Sequence, residues 1–380
     1  MDSRGKIAFI ATVDVHIYAF HIPFMKLLQN MRYEVEVACA ATGFTERIEK
    51  EGFKVHKIPF SRNPLNPANI KAFFMLLDLL KTNNYQMIHT HTPVASFLGR
   101  IAGKIAKVPH ILYTAHGFHF HEYGSKLRNF LYYRLEKFAG RFTDILITIN
   151  TDDYKIAKEK NLVPNGKIVY IKGVGVDTEV FRVDNDYKAW SDLRTIDTNI
   201  LRLVTVGRIE REKNYFDLIR VAFKVKQMGI KFKLFIVGSG PLEERIVSFA
   251  EKLNLKDDCV FTGYVEDTRD ILKNSDIFLF ASSREGLPVS VMEAMATELP
   301  VVAYNIRGVR DLVVKGVTGF LVPFRGIESF AEKINYLYNH PEVAKDMGRR
   351  ARERIVREFS LGIILKDMEK LYRQILEENP

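Results

Sequence analysis

What most constrains this chain is a rhythm. Short apolar runs of strand length alternate with longer amphipathic stretches of helical period, and the series occurs twice. In the first half, residues 7–11, 35–40, 87–89, 111–114 and 145–148 read as buried strands with helical patterns between them. The series restarts at 202–206 and continues through 233–237, 260–262, 277–281, 301–304 and 319–322. Strands joined through helices run parallel, and a parallel sheet must be covered on both faces, so each series predicts a doubly wound α/β domain. At 380 residues the chain exceeds what one hydrophobic core fills, which agrees with two domains. Residues 185–199, polar and charged around the single Trp190, read as a linker. The expected organisation is a Rossmann-like domain over 1–184, a second over 200–356 and a C-terminal helix within 357–380. That helix carries Ile364, Met368, Leu371 and Ile375 on one face and must dock on something apolar.

A formal charge of +10 calls for an anionic partner, and nucleic acid, a phosphorylated substrate and an anionic membrane face all qualify. The basic residues are scattered, with no zinc-finger, RNP or recognition-helix pattern, which argues against nucleic acid. No run reaches the roughly 18 to 20 apolar residues that span a bilayer, and the start carries Arg4 and Lys6 around a short strand. Neither a transmembrane helix nor a signal peptide is expected. Cys39 and Cys259 offer no disulfide framework, so the expected compartment is the cytoplasm.

The most specific segment follows the strand at 277–281: Ser282-Ser283-Arg284-Glu285-Gly286-Leu287-Pro288-Val289-Ser290-Val291-Met292-Glu293-Ala294. It joins a strand end to a helix start, with Pro288 expected in the first helical turn. The amides of Gly286, Leu287 and Val289 would be free to face an anion there, where a helix N-terminus adds roughly half a positive charge. Ligands of doubly wound sheets bind outside the carboxyl ends of strands, so a diphosphate suits this place. Glu285 stands at the mouth of the loop. Glu293 lies more than one turn deeper and could accept hydrogen bonds from vicinal hydroxyls such as those of a ribose. The bland alternative is a Pro-started helix with two solvated glutamates.

These residues resemble the signature of the retaining GT-B glycosyltransferases of family 4 type, the group 1 glycosyl transferases, in which two glutamates are separated by seven residues, as Glu285 and Glu293 are. The resemblance covers essentially the whole chain and is strongest over 204–320. It implies two Rossmann-like domains facing across a cleft, a C-terminal helix within 357–380 that returns to the first domain, a UDP-sugar donor and no cofactor. In the same pattern, Val206-Gly207-Arg208-Ile209-Glu210-Arg211-Glu212-Lys213-Asn214 is similar to the donor-phosphate element, which makes Arg208 and Lys213 the diphosphate clamp and Gly207 part of its loop. Glu285 would hold the sugar and Glu293 the ribose. Gly238-Ser239-Gly240-Pro241 is not a dinucleotide fingerprint, because Glu243 stands where the third glycine belongs and the turn follows the domain's second strand. It is similar to the family's Gly-x-Gly-Pro turn, so Gly238, Gly240 and Pro241 join Gly286, Leu287, Pro288 and Val289 as donor-binding candidates.

In the first domain, Tyr113-Thr114-Ala115-His116-Gly117 resembles the family's histidine near the donor sugar, with His116 assisting by a hydrogen bond. His89, His91, His116, His119 and His121, which include two His-x-His pairs, offer metal ligation as an alternative to a structural or hydrogen-bonding role. No Asp-x-Asp stands at a strand end of the donor domain, and the two cations can neutralise a diphosphate, so no metal is expected to be required. The first strand-to-helix loop lacks the paired glycines common in the family and carries His16, Tyr18 and His21 instead, candidate acceptor contacts beside the plain reading of a turn.

Phe60-Ser61-Arg62-Asn63-Pro64-Leu65-Asn66-Pro67 and the glutamate segment look like the branch that extends polyprenyl-diphosphate-linked glycans with hexoses or N-acetylhexosamines, in capsule, O-antigen or exopolysaccharide synthesis. An oligosaccharide acceptor on a lipid would bring the enzyme to the inner membrane face, and residues 71–81 form an apolar candidate helix for that contact or for core packing. The family's chemistry implies front-face substitution, with positioning and charge stabilisation supplied by the protein and a hinge near 173–177 for closure. A sugar-nucleotide epimerase and a non-catalytic nucleotide-sugar-binding partner are the rival readings. Arg208 and Lys213 argue against the latter.

Overall fold

A computed structural model describes residues 3–183 and 200–377; the linker read at 185–199, with Trp190, lies outside the described residues. Two compact units result, Met1–Val174 with Ile364–Pro380, and Gly175–Ile363.

The first unit is a seven-stranded parallel sheet of β1 (Lys6–Val13), β2 (Glu34–Ala40), β3 (Lys54–Lys57), β4 (Tyr85–His91), β5 (His110–Ala115), β6 (Ile145–Thr148) and β7 (Lys167–Tyr170). Its spatial order is β3-β2-β1-β4-β5-β6-β7. Alternate residues of a strand face opposite sides of the sheet, and both sides are apolar here. Ile7, Phe9, Val35, Val37, Met87 and Leu112 enter one core, while Ala8, Ile10, Ile88 and Ile111 enter the other. The strands β3 and β7 escape the sequence reading because each is a four-residue edge strand, begins with lysine and buries neither face fully.

The last helix, Leu361–Leu376, sends Ile364, Met368, Leu371, Tyr372 and Ile375 into the first of these cores. Each such aliphatic burial is worth roughly 1.5–3 kcal/mol, so this helix is an integral wall of the unit. It also supplies a polar tie. Fully buried His89 on β4 hydrogen-bonds Tyr372 through Nδ1 at 3.0 Å and the Thr114 hydroxyl through Nε2 at 2.7 Å.

The helix Ala68–Thr82 buries Asn69, Ala72, Leu76 and Leu80, so one face of the 71–81 segment is core packing, while Ile70, Phe74 and Met75 stay exposed. A second helix, Lys126–Ala139, is more unusual: Ala139 is its sole buried residue among those described. It exposes Leu127, Phe130, Leu131 and Phe138 beside Lys126, Arg128, Arg134 and Lys137. No helix among the described residues is long and apolar enough to cross a membrane.

The second unit holds a six-stranded parallel sheet: β8 (Leu201–Val206), β9 (Phe232–Val237), β10 (Cys259–Gly263), β11 (Ile277–Phe280), β12 (Val301–Tyr304) and β13 (Gly319–Val322). The order is β10-β9-β8-β11-β12-β13. From β8 the chain winds outward through β9 and β10, then crosses back to place β11 on the other side of β8. The carboxyl ends of β8 and β11 therefore flank the point where strand order reverses, as those of β1 and β4 do in the first unit. Helices leaving in opposite directions open a crevice at such a point.

Removing one partner of His89 leaves a buried ring nitrogen unsatisfied, at a cost of about 1–3 kcal/mol. Tyr372→Phe is therefore expected to lower the stability of the first unit by that amount with little change in shape, read as a lower midpoint in urea unfolding. An unchanged midpoint would show that the hydroxyl is not tying the C-terminal helix to the sheet.

Candidate active site

At the switch point of the second unit, loops following β8, β9 and β11 are laced together. Asn214, in the left-handed conformation, donates its side-chain amide to the Ala281 carbonyl at 2.9 Å, and the Ser283 amide donates to the Glu212 carbonyl at 2.7 Å. Ile209 donates to Ser239 at 3.0 Å, and Leu242 donates back to Ile209 at 3.2 Å. This lacing brings two residues far apart in sequence into one ion pair: Lys213 Nζ stands 2.6 Å from Glu285 Oε1. Both side chains are mostly shielded, and the ammonium also lies 5.3 Å from the centre of the Phe280 ring. Arg208 is placed differently. It is half exposed and 3.5 Å from Glu210, so its guanidinium remains accessible at the edge of the loop.

The helix behind this pair is Val289–Ala296, with Pro288 as its N-cap. Pro288 thus sits one position earlier than expected, because its extended ψ of 118° lies outside the helix although its carbonyl accepts from Met292. The amides of Gly286, Leu287 and Val289 take no partner among the described residues. Three unpaired N–H groups, the positive end of a helix dipole and an ammonium form a site for an anion such as a diphosphate. One helical turn in, Glu293 is half-buried. Burial, with the Asp267 carboxylate adding to it, pushes its carboxyl up to about 7. Hydroxyl donors arriving at this carboxyl would favour its ionised form.

The glycine turn has a different local role from the one its sequence suggests. Gly238 has a φ of +133°, and a Cβ there would lie 2.2 Å from the Gly207 carbonyl oxygen; one on Gly240 would lie 2.3 Å from that of Ile209. Both glycines let the β9 turn press against the β8 loop. The Gly207 amide is spent on Val237 and the Gly238 amide on Gly263, each at 2.9 Å, so neither is available to a phosphate. Pro241 completes that turn ahead of the helix Glu243–Lys252.

Sequence reasoning missed Arg307. It is nearly fully buried just after β12, and its Nε donates to the Glu285 carbonyl at 3.3 Å, steadying the glutamate loop from behind. Its position at the carboxyl end of a strand of the same sheet was the available signal.

The first unit gathers histidines at its own switch point. His16 lies in the helix Asp14–Phe20 after β1, His21 follows that helix, His91 ends β4 and His116 follows β5. The His16 ring meets the His116 ring edge-on at 4.7 Å, His21 stacks on His91 at 3.8 Å, and His91 Nδ1 is 3.2 Å from His116 Nε2. Burial depresses all four imidazoles, with neighbouring rings and, for His16, Arg62 adding to it; His116 falls to about 4. They are neutral near pH 7. Asp14 anchors the β1 loop: burial pushes its carboxyl up, but bonds from Thr42, the Phe44 amide and Thr45 outweigh this and hold it below its usual value. Tyr18 stands apart from the histidines, half-buried with its ring 5.5 Å from that of Phe44.

The His-x-His pairs do not act as units. His89 is taken by Tyr372 and Thr114, His119 packs 5.1 Å from Tyr132, and His121 is tied through its backbone to Asn129. Of the candidates, Arg208, Lys213, Glu285 and Glu293 belong to the second unit, while His16, Tyr18, His21 and His116 belong to the first.

Comparison with known proteins agrees with this division. Residues 188–354 match the family described as Glycosyl transferases group 1, and residues 6–150 match the Glycosyl transferase 4-like family. The chain is 33% identical over 377 residues to the putative glycosyltransferase EpsD of Bacillus subtilis, covering 98% of this chain and 97% of that one. It is 30% identical over 352 residues to an Escherichia coli UDP-Gal:alpha-D-GlcNAc-diphosphoundecaprenol alpha-1,3-galactosyltransferase, covering 91% and 90%. The crystal structure of Anabaena HepE in complex with UDP shares the fold, with a TM-score of 0.74 at 18% identity over 98% of this chain and 100% of that one. The likeness thus runs through both sheets and their order in the chain, and the protein belongs to the group 1 glycosyltransferases, enzymes of the GT-B fold.

Proposed function

We propose that this glycosyltransferase moves a hexose or N-acetylhexosamine from a UDP-sugar, with retention of anomeric configuration, onto a polyprenyl-diphosphate-linked glycan during cell-surface polysaccharide synthesis. The observation that carries the reading is the Lys213–Glu285 pair held in front of the free amides of Gly286, Leu287 and Val289. The name of the Escherichia coli relative, with its UDP-sugar donor and undecaprenyl-linked acceptor, supports the substrate classes.

In the reaction, the acceptor oxygen bonds to the anomeric carbon on the face from which UDP leaves. The bond from that carbon to the diphosphate oxygen breaks, and the acceptor's proton passes to a donor phosphate oxygen. Charge grows on the diphosphate as the sugar becomes oxocarbenium-like. Lys213, Arg208 and the helix N-terminus meet that charge in a partly desolvated place, where fixed positive groups act most strongly on a transition state. Glu285 holds Lys213 in position and receives sugar hydroxyls, and Glu293 receives the ribose hydroxyls. With two cations and three amides on the diphosphate, no divalent ion is needed there.

For an acceptor buried in lipid, the helix Lys126–Ala139 is the better membrane contact. Its exposed leucines and phenylalanines give apolar insertion, and its cations, each worth about 1 kcal/mol at an anionic surface, give attraction to the cytoplasmic leaflet.

The decisive experiment offers a panel of UDP-sugars and a short-chain polyprenyl-diphosphate sugar to the purified chain, and follows UDP release and product configuration. One donor should react with retention, at a rate that added Mg²⁺ or Mn²⁺ does not raise. Lys213→Ala should lower kcat by about 10²–10³-fold. Failure to release UDP from any donor, or an inverted product, would defeat the reading. Donor binding should also depend on pH. Because the Glu293 carboxyl ionises near 7 and its ionised form accepts the ribose hydroxyls, UDP affinity should fall about tenfold from pH 8 to pH 6. Calorimetry on Glu293→Gln isolates this from titration of UDP itself: weaker binding with the same slope would remove Glu293 from the ribose. On anionic vesicles, Leu127→Glu with Phe130→Glu should abolish co-sedimentation that neutral vesicles never support; retention of the double variant would place the contact elsewhere.

A further inference from the structure

Four histidines of the first unit hold a grouping that sugar transfer does not explain. The candidate ligand atoms of His16, His21, His91 and His116 all lie within 4.8 Å of one another. Four nitrogens bound tetrahedrally to a zinc-sized ion would be about 3.3 Å apart, given Zn–N bonds of about 2.0–2.1 Å. One pair, His91 Nδ1 and His116 Nε2 at 3.2 Å, already has that spacing.

His89 supplies the internal contrast. It lies on the same strand as His91 and is equally buried, yet both of its nitrogens are satisfied by hydroxyls. The Nε2 atoms of His16, His21 and His91 are buried with no hydrogen-bond partner among the described residues. Leaving a polar atom in that state is costly, and three such atoms on three rings of one close group call for a ligand. Each neutral imidazole presents a lone pair, which a cation satisfies and an anionic phosphate oxygen, an acceptor only, does not.

We propose that His16, His21, His91 and His116 bind one divalent transition-metal ion of the zinc class. An all-imidazole set with no carboxylate in the group suits zinc, cobalt, nickel or copper and disfavours magnesium and calcium, which take oxygen. His21 and His91 are deeply buried while His16 and His116 are only partly so, which leaves a side from which an ion can enter. The ion would pin the turn after β1 to the ends of β4 and β5. It would also fix the tautomer of His116, leaving its second ring nitrogen as a donor. This ion belongs to the first unit and is distinct from any ion on the donor diphosphate, so the proposal stands whether or not the reading of sugar transfer holds.

The test uses the tag-free full-length chain, stripped with chelator and titrated with Co²⁺. One ion should bind per chain and give the intense visible bands of tetrahedral cobalt, displaced by Zn²⁺. His21→Ala and His91→Ala should weaken binding by at least about 100-fold, beyond the usual cost of an outer-shell partner, while His119→Ala binds as the parent does. X-ray absorption on the zinc-loaded parent chain, which requires no variant to fold, should show four nitrogen ligands with imidazole scattering. Octahedral cobalt bands, fewer than three imidazoles at the zinc, or equal binding by folded His21→Ala and His91→Ala would each overturn the proposal.

Discussion

Parallel strands cannot be joined by short hairpins, so each strand here must be followed by a crossover, and every strand of a sheet then ends on the same edge. All the chemistry described above depends on that constraint. In the second unit it delivers the loops after β8, β9 and β11 to one edge, and the reversal of strand order beside β8 parts the helices that would otherwise cover it. The first unit obeys the same rule around β1 and β4, and its histidines gather at the corresponding place. Two sheets with unrelated sequences thus put reactive residues at equivalent positions.

Within the second unit, the shielded ammonium of Lys213 is not left alone. Lys213 would be costly to shield from water without Glu285, and the glutamate is in turn set by Arg307 through its backbone carbonyl. Such a pair, preorganised before any donor arrives, needs no large rearrangement to present its ammonium to a diphosphate. The two glycines of the β9 turn serve this arrangement indirectly, by allowing the backbone of 207–209 to come close enough for the loops to lace.

Histidine illustrates how context divides one residue type among several uses. His89 is structural because Thr114 and Tyr372 both reach it, and that bond also secures the C-terminal helix to a sheet from the other end of the chain. Two residues further along β4, His91 has the same facing but has passed beyond both hydroxyls, and finds three other imidazoles instead. Spacing of i, i+2 fixes the face of a strand and says nothing about what stands opposite.

How much of this was legible follows from the range of each interaction. Apolar periodicity is local, so the alternation of strands and helices, the two sheets and the apolar face of Leu361–Leu376 could all be read from the chain, whereas the edge strands Lys54–Lys57 and Lys167–Tyr170 lack the buried run that announces a central strand. The strand, Glu-Gly-Leu-Pro and helix order of the donor loop was likewise local, and it marked Glu285 and Glu293. The sequence could not say that Lys213 would pair with Glu285 across 72 positions, that the Gly207 and Gly238 amides would be spent on neighbouring strands, or that Arg307 would support the loop from β12. Nor could it select His16 and His21 over His89 as companions of His91. Those outcomes were decided by tertiary structure, because the partners are distant in sequence and meet only after the crossovers have fixed which strand ends are neighbours.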